Sequence, residues 1–408
     1  MYETLTILGV FIFFYSISSK GLENTPINGA VLFTAFGLAL GPLGLDFLRF
    51  EIEAEGLRTL AELTLALVLF TDAANANLGV LKKSFHIPQR LLLIGLPLTI
   101  LIGFGMGILM FGGLSLIEIA ILATMLAPTD AALGKTVVTD ESVPVDIREG
   151  LNVESGLNDG ICVPILFVFL AFATGSNTGG SASMLAVKLV TQQIGIGIAV
   201  GGGITILGAW LLGRFYDRGW VSETWIQLPV VTLAVVCFAI AQRLGGSGFI
   251  AAFVGGLLFG GIVKRHKHTL LLAAEGTGDT LALLTWVIFG SAIVGQAFKH
   301  FSWEIILYSL LSLTIIRMLP AFLVLAGMNL RTDEKLFMGW FGPRGLASIV
   351  FAVIVLNAQL PGGDIIVTTV VCTIILSIIG HGLSANPLVA ALAARNKRLT
   401  DKRETLRP

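Results

Sequence analysis

Apolar residues in this chain fall in runs of roughly 16–25 between short polar punctuations, the length a helix needs to cross a bilayer. Of the 408 residues, 55% are hydrophobic and only 13% charged, and the mean hydropathy is +0.89. Soluble domains carry about 25% charged residues, so the chain reads as an all-α polytopic membrane protein. The first run, 5–19, follows an uncharged Met1-Tyr2 and lacks a small-residue cleavage site. It is therefore expected to be a span and not a cleaved signal.

Thirteen spans are expected, at 4–19, 27–42, 57–80, 91–112, 115–139, 150–174, 185–213, 224–242, 247–263, 278–298, 302–327, 335–357 and 364–386. The transmembrane domain is then 1–387, followed by a short basic tail at 388–408. With the N-terminus outside, 18 of the 26 Lys and Arg residues fall on the inner side, six of them in the tail. Cytoplasmic loops favour these residues, so the expected topology in a cell inner membrane is N-terminus outside and C-terminus inside. Thirteen also divides into two six-helix halves, 4–174 and 224–386, around a linker helix at 185–213. An odd linker gives the halves opposite orientation, as in inverted-repeat transporters. Spans 5 and 12 then correspond, and both are interrupted: by LAPTD (126–130) and by FGPRG (341–345). Paired Pro/Gly breaks at matching positions of two halves point to a transport site, although a pair of ordinary proline kinks would look the same.

Three carboxylates, Asp130, Glu154 and Asp159, sit in spans 5 and 6 among apolar neighbours. A mid-bilayer charge costs at least about 2.5–3.5 kcal/mol, so each needs a compensating role. On a helix Ser155 and Asp159 share a face at i and i+4, with Glu154 and Asn158 beside them. This stripe offers only oxygen and amide groups, which suit hard cations such as Na⁺ or Li⁺. Pro128 breaks the preceding turn and can free carbonyls near Thr129, while Asp130 caps the half-helix beyond it. Desolvation penalises a bare buried anion, so a cation-binding carboxylate also takes protons. If only the neutralised site crosses the barrier, exchange becomes obligatory.

APTDAALG (127–134) with LNVESGLNDG (151–160) resembles the paired motif of NhaP-type sodium/proton antiporters of the cation/proton antiporter 1 family. GPRGLAS (342–348) and HGLSANPL (381–388) resemble later family motifs. The resemblance implies that Asp159 is the main ion- and proton-binding carboxylate, with Na⁺ held by Asp159, Ser155, Asp130 and Thr129. It further implies that Glu154 completes or supports the site and that Asn158, in the position that marks electroneutral members, bonds the broken backbone of span 5. Buried Arg317 and Arg344 need partners. The resemblance implies that one pairs with Glu154 and the other with Asp72, and the expected pairs are Arg317 with Glu154 and Arg344 with Asp72. The alternative is that either arginine snorkels to an interface near Pro320 or Pro343. Asp72 lies in LVLFTDAANANL (67–78), which departs from the family pattern in the residues after the acid.

Other features carry less. Cys162, Cys237 and Cys372 lie singly in apolar runs, as small hydrophobes do. No histidine spacing suggests a metal enzyme, and GxGxxG and P-loop motifs are absent. The small-residue run GIGIAVGGGITILGAW (195–210) allows close helix approach, in a dimer or internally. KRHKH (264–268) suits anionic lipid headgroups. Lys135 is expected at the cytoplasmic surface, and His381 is read as a helix-end packing residue. The expected function is Na⁺ (or Li⁺)/H⁺ antiport without a cofactor, in a lipid-embedded homodimer with no nucleic-acid partner. A K⁺/H⁺ antiporter of the same fold is the alternative. A cation channel lacks a visible filter, and an intramembrane aspartyl hydrolase lacks the expected aspartate contexts.

Overall fold

The computed structural model describes residues 2–23, 29–48, 54–75, 86–130, 133, 137–138, 140–175, 182–222, 224–264 and 267–405. Arg49, Lys82, Lys83, Lys135, Arg265 and His266 lie outside the described residues, as do the side chains of Arg58, Lys188 and 399–408. The described chain forms fourteen helices and contains no strand. They are α1 (Tyr2–Glu23), α2 (Gly29–Leu40), α3 (Ala54–Asn75), α4 (His86–Met110), α5 (Leu116–Met125), α6 (Val145–Gly175) and α7 (Ala182–Asp217). The second half holds α8 (Leu228–Arg243), α9 (Gly248–Ile262), α10 (Lys267–His300), α11 (Trp303–Val324), α12 (Thr332–Trp340), α13 (Leu346–Asn357) and α14 (Gly363–Thr405). Seven of them are long and apolar enough to cross a membrane: α1, α4, α6, α7, α10, α11 and α14.

Among the described residues every expected apolar run coincides with helix, and the two expected interruptions are real. Span 5 starts on a capping box, in which the Ser115 hydroxyl accepts the Glu118 N–H and Glu118 accepts the Ser115 N–H. This arrangement satisfies two of the orphan donors at a helix start. The helix stops at Met125, three residues before Pro128, whose ring and missing N–H cannot continue the ladder. Span 12 divides into α12 and α13 around Phe341–Gly345. The expected boundary of the last span at 387 is not a helix end: α14 runs on through Pro387 to Thr405.

Close backbone approach organises the interior. A Cβ at Gly256 or Gly260 of α9 would strike the backbone of Phe70 or Ala74 on α3, so these small residues let the two helices touch. The 195–210 run makes a similar contact within the molecule, where Gly197 and Gly201 of α7 face the backbone of Ser247 and Ala251. A smaller apolar cluster that includes Ile87, Val137, Leu151, Phe341 and Ala385 takes in the first residue of the second break.

Candidate functional site

The two interruptions meet. Asp130 donates its backbone N–H to Pro343 O at 2.8 Å, and the Asp130 Oδ2 accepts the Leu346 N–H at 2.8 Å. Asp130 therefore caps the start of α13, the other broken segment, besides accepting the Leu133 N–H at 3.4 Å in its own. A carboxylate is favoured at such a helix start because it meets exposed N–H groups and the positive end of the dipole. Gly345 makes this contact possible: a Cβ there would run into the Asp130 carboxylate.

Breaking α5 frees carbonyls in apolar surroundings, where each must find a donor. Side chains supply them. Met125 O receives the Ser348 hydroxyl at 2.9 Å, and Thr129 O receives the Ser155 hydroxyl at 2.7 Å. Arg344 Nη1 lies 3.2 Å from Ala127 O, 3.1 Å from Pro128 O and 3.2 Å from Gly342 O. Cationic donors suit this end of a helix, where the dipole is negative.

The face of α6 turned to these breaks carries the expected stripe. Asn158 donates to the Thr129 hydroxyl at 2.6 Å. It thus holds the side chain of Thr129 while Ser155 holds the backbone, a division of labour in place of the expected bond from Asn158 to the backbone. Glu154 and Arg317, each 2% exposed, form a two-pronged pair at 2.6 and 2.8 Å. With both its oxygens engaged by the guanidinium, Glu154 anchors α6 to α11 and has little left to offer an ion. Bidentate geometry of this kind is what makes a buried pair tolerable.

Arg344, by contrast, does not pair with Asp72. Its guanidinium is 0% exposed and is turned to the carbonyls of both breaks. Asp72 packs instead against α6 at Gly156, where a Cβ would sit 3.6 Å from the Asp72 Cβ. The open helix end competes for the cation and takes it. Asp159 is 8% exposed, and its Oδ1 has no hydrogen-bond partner among the described residues. Asp130, Asp72 and Arg344 are the charged groups around it.

A small recess of about 10 Å³ touches Thr129, Asp130, Ser155, Leu151, Phe341 and Pro343, space for about one water-sized sphere. Hydroxyl, carbonyl and carboxylate oxygens thus gather at this recess, which Asp159 does not line. Ser155, at its edge, lies one helical turn from Asp159 on the same face of α6. Sequence reasoning gives Ser348 and Ser377 no role and reads His381 as packing alone. Ser348 lies in GPRGLAS and His381 in HGLSANPL, motifs noticed by resemblance and not by chemistry.

The family model described as sodium/hydrogen exchanger, transmembrane, matches residues 8–391. The K(+)/H(+) antiporter NhaP2 of Shewanella sp. (strain MR-4) is 22% identical over 355 residues, covering 87% of this chain and 61% of that protein. The Na(+)/H(+) antiporter ApNhaP of Aphanothece halophytica is 28% identical over 371 residues, covering 87% of this chain and 68% of that one. The chain therefore spans 61% of the length of the NhaP2 relative. In fold it is similar to the sodium proton antiporter MjNhaP1 from Methanocaldococcus jannaschii, with a TM-score of 0.74 at 21% identity over 93% of this chain and 99% of that structure. Since the family model extends over nearly the whole sequence of this multi-helix membrane fold, the chain belongs to the sodium/hydrogen exchanger family, whose members are transporters and not enzymes.

Proposed function

We propose that the chain exchanges Na⁺ (or Li⁺) for H⁺ as a secondary antiporter, both ions competing for Asp159. The observation that carries this reading is the buried Asp159 carboxylate with an oxygen left without a donor. Such a group is stable only with a positive charge on it, and a proton and a metal cation are the two simplest choices. Thr129, Ser155 and Asp130 line a recess one turn of α6 away from Asp159 and would supply further oxygen ligands for Na⁺. Both Glu154 oxygens are committed to Arg317 and Asn158 carries no titrating proton, which leaves Asp159 as the exchanging group, so one Na⁺ replaces one H⁺ and the step is electroneutral. Alternating access between two inverted halves, 4–174 and 224–386 about the linker at 185–213, carries the exchange in this reading. The working form is a homodimer in the cell inner membrane, N-terminus outside.

The test is proton-coupled flux in proteoliposomes given Na⁺, Li⁺ or K⁺ gradients, with and without a valinomycin-clamped potential. Na⁺ and Li⁺ should move protons, the rate should ignore voltage, and apparent Na⁺ affinity should weaken as pH falls because protons occupy Asp159. Asp159→Asn should abolish exchange in a protein that still folds, since it removes the charge at nearly constant volume. Flux through folded Asp159→Asn would sink the mechanism, and a voltage-dependent rate would mean that a second group titrates. K⁺/H⁺ exchange is the second reading. It is favoured by the NhaP2 relative, named as a K(+)/H(+) antiporter, and flux driven by K⁺ but not Na⁺ would select it.

A further inference from the structure

One face of α14 grips the second break, and the exchange reading leaves it without a role. Ser377, His381 and Ser384 stand at i, i+4 and i+7 on that helix, so they share a face. The Ser377 Oγ accepts the Arg344 backbone N–H at 2.7 Å. His381 Nε2 lies 2.8 Å from Trp340 O. A carbonyl only accepts, so Nε2 carries the ring proton and Nδ1 is left as an acceptor. The Ser377 hydroxyl, 3.2 Å from Nδ1, supplies the hydrogen. Nδ1 also lies 3.0 Å from the Ser377 carbonyl, but the tautomer that donates there would leave a bare Nε2 facing Trp340 O at 2.8 Å, so the Nε2–H form is the one in which both nitrogens are bonded. Finally, the Trp340 indole N–H donates to Ser384 Oγ at 2.8 Å, and the Trp340 and His381 rings lie 4.9 Å apart.

Trp340 is the last residue of α12, and Arg344 is the penultimate residue of the break. A single side chain, His381, is therefore linked to both ends of Phe341–Gly345: directly to Trp340 and through Ser377 to Arg344. It is 1% exposed, and both ring nitrogens are committed.

We propose that His381 is a positioning residue for the cation site. Through Ser377 and Trp340 it fixes the backbone at Arg344. The Arg344 guanidinium then holds the Ala127 and Pro128 carbonyls, the two residues immediately before Thr129 and Asp130. Loosening the clamp lets the first break relax and spreads its oxygens, which weakens cation binding without touching the titrating group at Asp159. The role is geometric: no proton passes through the ring. This inference rests on the exchange reading at Asp159.

The experiment compares wild type, His381→Phe, His381→Gln and Ser377→Ala in proteoliposomes, counting only folded protein by its size-exclusion peak. Na⁺ dependence, rate at saturating Na⁺ and pH profile are recorded for each. His381→Phe should raise the apparent KM for Na⁺ about tenfold, the factor that one hydrogen bond's worth of positioning represents, while the saturating rate is largely kept. His381→Gln, whose amide N–H can reach Trp340 O, should recover most of that affinity with the wild-type pH profile. Ser377→Ala should fall between them. A wild-type KM in folded Ser377→Ala or folded His381→Phe, with only lower thermal stability, would reduce the histidine to a packing residue and overturn the proposal. A shifted pH profile in His381→Gln would overturn it by making the ring a titrating group. Where His381→Phe fails to fold, the Gln and Ser377 variants decide. Absence of any exchange by wild type would overturn the exchange reading and this inference with it, whereas wild-type exchange with unmoved KM sinks this inference alone.

Discussion

The two breaks look alike in sequence, each a short Pro-centred interruption of an apolar run, yet they do opposite work. The first, Leu126–Asp130, presents acceptors: the carbonyls of Met125, Ala127, Pro128 and Thr129 all receive side-chain donors from elsewhere. The second, Phe341–Gly345, presents donors, namely the Arg344 guanidinium and the Leu346 N–H at its exit. The two residues after each proline set the polarity. Thr129-Asp130 adds oxygens to an already negative helix end, and Arg344-Gly345 brings a cation and an unobstructed backbone to meet it. At these two sites the residues that follow the proline decide what the opening is for.

Variants can break this complementarity, beginning where the effect is largest. Arg317→Ala strips the partner from Glu154 in a site where both are 2% exposed, and should cost about 3–5 kcal/mol of stability. Thermal unfolding in detergent reads it, and the companion Glu154→Gln should restore much of the loss. A double variant no more stable than the single would show that Glu154 is not the charge being compensated. Next comes Gly345→Ala, which drives a methyl into the Asp130 carboxylate. Overpacking of this kind costs about 1–3 kcal/mol, and the same unfolding assay should show it together with a raised KM for Na⁺. An innocuous Gly345→Ala would mean that the breaks do not interlock through Asp130. Smallest is Asn158→Ala, which removes a single bond to the Thr129 hydroxyl worth about 1 kcal/mol. Ser155→Ala orphans the Thr129 carbonyl and should be the more damaging of the two in the same assay. The reverse order would return the backbone-holding role to Asn158.

Legibility in the sequence depends on the range of each signal. The spans and breaks are local: runs of bilayer length and the prolines at 128 and 343 announce themselves. Glu154 with Arg317 is also within reach, because two opposite buried charges have few alternatives to each other. The same logic fails for Arg344. It assumes that a buried cation must seek a carboxylate, whereas a broken helix offers carbonyls with a dipole behind them, a partner that carries no charge symbol in the sequence. Asp130 reads correctly as a cap, but of its own half-helix. That it serves a helix beginning at Leu346 depends on tertiary placement, which leaves no periodic trace. The α14 clamp is hidden for a similar reason, since Ser377 and Ser384 are unremarkable residues until Trp340 and Arg344 lie beside them.

The crossing also has a consequence for how the chain is made. Among the described residues, the donors to the Met125, Ala127 and Pro128 carbonyls lie more than two hundred residues downstream, on Arg344 and Ser348. A chain emerging N-terminus first carries the completed first half with those carbonyls unmet, until the second half has been synthesised. Each unmet group in hydrocarbon costs several kcal/mol, so the early half cannot settle into its final form by itself. Ser155 and Asn158, on the neighbouring α6, donate to Thr129 of this opened end and arrive earlier. The site is thus finished late, once the second break and the start of α13 have been inserted.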